Sequence, residues 1–198
     1  MAKAAWCSAS PTSGSGNGSV SIGADVFTGR TQRQTTVTFS AAGVTDQTVA
    51  VTQKAAAEFV TFDNISAPNA GGNVTLQGTS NSALLTFSLG TGDIVVSLPA
   101  TYLAGGASTN NGVAIAGDPG ASGSYNFSIT LNVPANTTTG SLTKIVTVTA
   151  QGGQSASATI TQAAGDPYLT VDPTSLLLEA DGTAQSVTVS SNTNWTVA

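Results

Sequence analysis

Hydrolytic chemistry needs a nucleophile beside a base, or two carboxylates facing a cleft. This chain has serines in abundance but no histidine to activate one. Its ten acidic residues are scattered. Asp118, Asp166 and Asp172 each precede proline and Asp181 precedes glycine, contexts that suit turns. The chain therefore reads as a non-enzyme, with no catalytic residue and no cofactor expected. The lack of histidine also removes zinc sites of the usual type. The stretch "GDPG" at Gly117–Gly120 offers too few oxygens for calcium, which takes roughly six or more.

Sugar recognition would use aromatic platforms beside amides. Tyr102 and Tyr125, with Asn110 and Asn111 in a Gly- and Asn-rich stretch, are the candidate glycan contacts. Phe127 is read differently, since it alternates with Ile129 and Leu131 as a core strand does.

The net charge of -5 and the five basic residues (Lys3, Arg30, Arg33, Lys54 and Lys144) cannot neutralise a row of phosphates, so no nucleic-acid partner is expected. No apolar run approaches the ~18 residues of a membrane span, and membrane insertion is not expected either. The single cysteine, Cys7, forms no intramolecular disulfide and reads as a small buried hydrophobe beside Trp6. The start "MAKAAWCSAS" has no apolar leader segment. The expectation is a protein that acts where it is made or leaves by lysis, or whose Met1 stands in place of a leader.

The elements that hold these residues are read from an internal repeat. Offset by 109 residues, "VTFSAAGVTDQTVAVTQKAAAEFVTFD" lies over "VTVTAQGGQSASATITQAAGDPYLTVD" without a gap, from Val37/Val146 to Asp63/Asp172. Thr38/Thr147, Gly43/Gly152, Gln53/Gln162 and Thr61/Thr170 are identical pairs. Further on, with small insertions, Ser80-Asn81 meets Ser191-Asn192 and Leu84 meets Trp195. Each copy alternates apolar and small polar residues: Val37, Phe39, Val49 and Val51 in one, Val146, Val148, Ala158 and Ile160 in the other. A period of two marks half-buried strands, and the frequent turn-formers between them indicate antiparallel sandwiches.

The predicted fold is all-β: tandem immunoglobulin-like β-sandwiches, one intact and one split between the two chain termini. Residues 58–165 form the complete sandwich. Residues 1–57 carry the later part of a second one and residues 166–198 its beginning. Set end before start, "SNTNWTVA" runs into "AAWCSASPTSGSGNGSVSI". The split domain is expected to be completed by residues 4–57 of a neighbouring chain, or of the same chain. Short connectors on either side of the middle unit place the two halves at its opposite ends.

Joined this way, the sequence resembles the BACON family of immunoglobulin-like modules, known from gut Bacteroidetes proteins and from phages of those bacteria. The matching features are "NTNWTV", "WCSASPTSGSGNGSVSI", Arg30 before "TTVTF", and the closing "VAVTQ". The resemblance implies a core role for Trp6, Trp195 and Val197, and turn roles for Pro11 and Gly14. It implies a structural Arg30, packed or hydrogen-bonded against the sheet edge, with Arg33 more exposed. Leu169, Val171 and Val187 complete the expected assembly face.

Two function classes follow. The first is a structural protein that self-assembles by strand complementation, such as a virion decoration or fibre component or an extracellular filament subunit. Its partners would be copies of itself, with capsid proteins beside them. The second is a carbohydrate-binding or adhesion module recognising gut glycans. Either places the protein on a virion or outside the cell.

Overall fold

The computed structural model describes residues 2–198; Met1, at the head of the predicted first segment, lies outside them. The described residues form strands and no helix. The first segment carries β1 (Cys7–Ser10), β2 (Ser21–Ala24), β3 (Arg33–Phe39) and β4 (Gln47–Gln53). Two antiparallel pairs result, β1 with β2 and β3 with β4.

The middle of the chain carries β5 (Ile65–Ala67), β6 (Gly72–Ser80), β7 (Leu85–Gly92), β8 (Thr101–Ala104), β9 (Ala107–Asn110), β10 (Tyr125–Val133), β11 (Leu142–Ala150) and β12 (Ser155–Gln162). These make two four-stranded sheets, ordered β6-β10-β8-β9 and β5-β12-β11-β7. Pairing is antiparallel except where β5 runs parallel to β12. The alternation read from the sequence decides which side chains face inward. Val74 and Leu76 on β6, Phe127, Ile129 and Leu131 on β10, Val146 and Val148 on β11, and Ala158 and Ile160 on β12 share one core.

Four rings lie at its centre. Phe62, Phe87, Tyr102 and Phe127 sit with centroids 4.9–5.9 Å apart, in tilted and edge-on arrangements, the geometry that ring quadrupoles favour. Gly78 makes this cluster possible. It pairs with Phe127 across the sheet, and a Cβ there would lie 2.1 Å from the Thr61 carbonyl oxygen and 2.5 Å from the Phe127 ring.

The last segment carries only β13 (Leu169–Asp172) and β14 (Thr188–Ser191), paired antiparallel.

Candidate functional site

The two end segments repeat the middle unit bond by bond. In the β3–β4 pair, Val37 faces Val49 and Arg33 faces Gln53. In the β11–β12 pair, Val146 faces Ala158 and Leu142 faces Gln162. The Gln53 side chain donates from Nε2 to the Asp25 carbonyl oxygen at 2.7 Å. The Gln162 amide donates to the Pro134 carbonyl oxygen at 2.7 Å. The backbone N–H of Ala56 reaches Gly29 O, as that of Gly165 reaches Thr138 O. All of these pairs keep the 109-residue offset of the sequence repeat.

The last segment copies a different part. Asn81 Oδ1 accepts from the Phe59 N–H and its Nδ2 donates to Ala57 O. Asn192 does the same with Tyr168 and Asp166. Ser80 Oγ donates to Phe59 O and Ser191 Oγ to Tyr168 O. The predicted meeting of Ser80-Asn81 with Ser191-Asn192 is thus present as geometry. The inward residue beyond it is Leu85, fully buried, whereas Leu84 is half-buried.

The copies differ in what covers them. In the middle unit Val146, Val148, Ala158 and Ile160 are wholly buried. Of their counterparts, Val37 is buried, but Phe39 is 39% and Val49 44% exposed. Together with Ile22 and Ala9 these side chains line a groove of about 890 Å³ between the two strand pairs, with Pro11 and Gly14 on its wall. In the last segment Leu169, Val171, Val187, Trp195 and Val197 are all exposed, Trp195 by 49%. A large apolar side chain left in water forfeits roughly 1.5–3 kcal/mol of burial.

Several predicted residues lie elsewhere than expected. Arg30 does not bond its own sheet edge. It reaches into the middle unit, with Nη1 3.1 Å from Glu58 Oε1 and Nε 3.2 Å from Asp118 Oδ2. Glu58 in turn accepts from the Gly152 N–H. Arg33 instead packs within its own segment. Its guanidinium carbon lies 4.4 Å from the Trp6 ring centroid and 4.2 Å from that of Phe27, a cation–π stack. Its Nε donates to Gln53 Oε1. In the single chain Trp6 is half-buried and stacks on Arg33, while neighbouring Cys7 is wholly buried.

The candidate glycan contacts do not converge on a platform. Tyr102 faces inward on β8 and is 3% exposed, so its ring stacks on Phe87 and offers no face to a ligand. Burial pushes its phenol pKa up. Asn111 spends its side chain on the β7 backbone, accepting from the Phe87 N–H and donating to Phe87 O. Tyr125 is half-buried and donates its hydroxyl to Ser82 O at 2.8 Å, with its pKa pushed up to about 12 by burial. Asn110 remains exposed at the end of β9. Among the described residues, no group of three or more His, Cys, Asp or Glu is placed to hold a metal ion.

Residues 1–54 match the family model of BACON, described as "Putative binding domain, N-terminal". Over those residues the first segment is similar to BACON modules. The match ends one residue past Gln53, at the close of β4. No curated protein matches the chain. Among solved structures, an endo-fucoidan hydrolase from glycoside hydrolase family 107 is similar at 12% identity with a TM-score of 0.28. That comparison covers 83% of this chain and 22% of the hydrolase, so the chain spans about a fifth of that protein's length. A likeness this distant carries no functional argument.

Proposed function

We propose that this is a non-enzymatic structural protein of two immunoglobulin-like sandwiches, one intact and one supplied as halves, that self-assembles by completing the split one. A single observation carries this reading: each end segment forms those strands whose partners it contains, and lacks those whose partners lie in the other. In the intact sandwich β6 runs nine residues because β10 lies beside it. Its counterpart β14 runs four, covering only the part that pairs with β13. The counterparts of β5 and β7, residues 174–176 and 195–198, form no strand, and the strands they would flank, β3 and β4, are present in the first segment.

Unpaired backbone and exposed apolar faces on both pieces make each a template for the other. Residues 2–57 hold the counterparts of β10, β11 and β12; residues 166–198 hold those of β5, β6 and β7. Hydrogen exchange tests the reading. Amides of residues 174–176 and 183–187, which have no strand partner in the single chain, are expected to gain protection in concentrated protein. Exchange at free-loop rates under all conditions would overturn it.

A second reading, a binding or adhesion module, is favoured by one concavity of about 390 Å³ on the outer face of the β6-β10-β8-β9 sheet. Asp63, Gln77 and Asn126 line it beside Leu103. A glycan-array screen of the purified chain, repeated with Asn126→Ala, tests it: binding lost with that variant supports it, and no binding removes it.

A further inference from the structure

Two asparagines in this chain stand directly before a glycine, Asn17-Gly18 and Asn111-Gly112. That pairing carries a chemistry of its own, because glycine has no Cβ to shield its amide nitrogen from the preceding side chain. The nitrogen attacks the asparagine Cγ and loses its proton to hydroxide. The side-chain amide then leaves as ammonia and a cyclic imide remains. Water opens the imide at either carbonyl, giving aspartate or isoaspartate. One water is consumed and one ammonia released, and no other reactant is needed. We infer that Asn17 is a site of this self-modification, and that the fold of the middle unit denies it to Asn111.

Asn111 is held at every atom the reaction must move. Its Oδ1 accepts from the Phe87 N–H at 2.8 Å and its Nδ2 donates to Phe87 O at 3.1 Å. The N–H of Gly112, the attacking group, donates to Leu85 O at 3.0 Å. These bonds occupy the free edge of β7, the outermost strand of its sheet. Attack requires the side chain and the nitrogen to leave β7 together, which is a local opening of the sheet edge.

Asn17 stands in the opposite condition. It lies in "PTSGSGNGSV", residues 11–20, the loop between β1 and β2. Both Asn17 and Gly18 are exposed, and no hydrogen bond to a described residue ties either one. A Cβ at Gly14, Gly16 or Gly18 would meet nothing within 4 Å, so the loop is free to bring Cγ onto the nitrogen. Gly16 and Gly18 line the groove and Asn17 does not, so its side chain lies outside the space an occupant of the groove would take.

Asp181-Gly182 is the acidic version of the same pairing and would reach the same imide with loss of water. There the Thr183 N–H donates to Asp181 Oδ1 at 2.9 Å, bonding that holds the carboxyl below its usual pKa. The Gly182 N–H donates to Glu179 O at 3.2 Å. An ionised carboxylate resists the attack, and the attacking nitrogen is occupied. Of the three pairs, only Asn17-Gly18 is free to react. Its conversion sets a new carboxylate beside the groove and adds one negative charge to the net -5. The isoaspartate product also lengthens the loop backbone by one carbon.

Ageing the full chain at mildly alkaline pH, then mapping its peptides by mass and counting isoaspartate by enzymatic methylation, tests the inference. In folded protein Asn17 is expected to convert at least about tenfold faster than Asn111, whose reaction waits on local opening. In denaturant the two rates should converge, since each is then a free Asn-Gly pair. Gly18→Val places a branched side chain over the nitrogen at a position with room for it. That variant should suppress conversion at Asn17 and leave the Asn111 rate and Trp6 fluorescence unchanged. Asn17 left intact in folded protein, while it converts in denaturant, would overturn the assignment. Equal rates at Asn17 and Asn111 in folded protein would overturn the protection by β7. Undiminished conversion in Gly18→Val would overturn the imide route.

Discussion

The guanidinium of Arg30 closes on the carboxylate of Asp118 across 88 residues of sequence, joining the first segment to the middle unit. This hydrogen bonding holds the Asp118 carboxyl below its usual pKa, helped by the Gly120 N–H and opposed by partial burial. A depressed folded-state pKa contributes stability that is fully present above the unfolded value of about 4. That stability is lost as the pH falls through the folded value. The joint should therefore loosen in acid and hold at neutral pH. Asp118→Asn should show the loosened joint at neutral pH already, read as faster amide exchange at residues 55–58. The pair is solvent-exposed enough to be worth no more than about 1 kcal/mol.

Arg33 should matter more to the first segment than Arg30. It lies against both Trp6 and Phe27 and bonds Gln53. Arg33→Ala is expected to lower the stability of that segment by about 1–2 kcal/mol, followed by Trp6 fluorescence. Arg30→Ala should leave that signal in place and affect only the joint.

Asn81 and Asn192 make matching bonds in unequal surroundings. Asn81 is 2% exposed and serves Phe59, Ala57 and Ala121. Asn81→Ala leaves buried backbone groups unpaired and should cost about 1–3 kcal/mol in thermal melts. Asn192 lies in the uncovered segment, where water can replace its bonds. Asn192→Ala should cost less than about 1 kcal/mol in dilute protein, and approach the Asn81 value only in assembled protein.

Trp195→Ala should be silent in the single chain, where half of the ring is already in water. Buried in a completed sandwich, the same change should cost roughly 3–5 kcal/mol. Light scattering across a concentration series reads the difference. Full assembly by the variant would place Trp195 on the surface.

The buried hydroxyl of Tyr102 makes no hydrogen bond of ordinary geometry, and its polar neighbour is the Leu85 backbone. Tyr102→Phe removes an unpaired polar atom without opening a cavity, so stability should stay the same or rise by about 1–2 kcal/mol. A loss of stability would reveal a partner for that hydroxyl.

Alternation and repetition were sufficient to read much of this protein. The period of two in "VTFS" and "TVAVTQ" placed Val37, Val49 and their counterparts Val146 and Ala158 on one face. The 109-residue offset also holds for bonds beyond the aligned stretch, such as Gln53 to Asp25 and Gln162 to Pro134, because matching residues at matching strand positions meet the same backbone groups. Strand periodicity is local, and its information ends at the edge of each strand. Which sheet lies opposite a face is a property of the whole sandwich. Sequence therefore offered Tyr102 as a platform while the core took its ring, and it did not show that Arg30 reaches Glu58 and Asp118 while Arg33 stacks on Trp6 and Phe27. Short connectors suggested halves at opposite ends. Only the folded chain, with Glu58 and Asp118 at one end of β10 and Thr137 at the other, decided which joint lies where. The reason is that the end at which a chain leaves a sandwich depends on how many times it has crossed it.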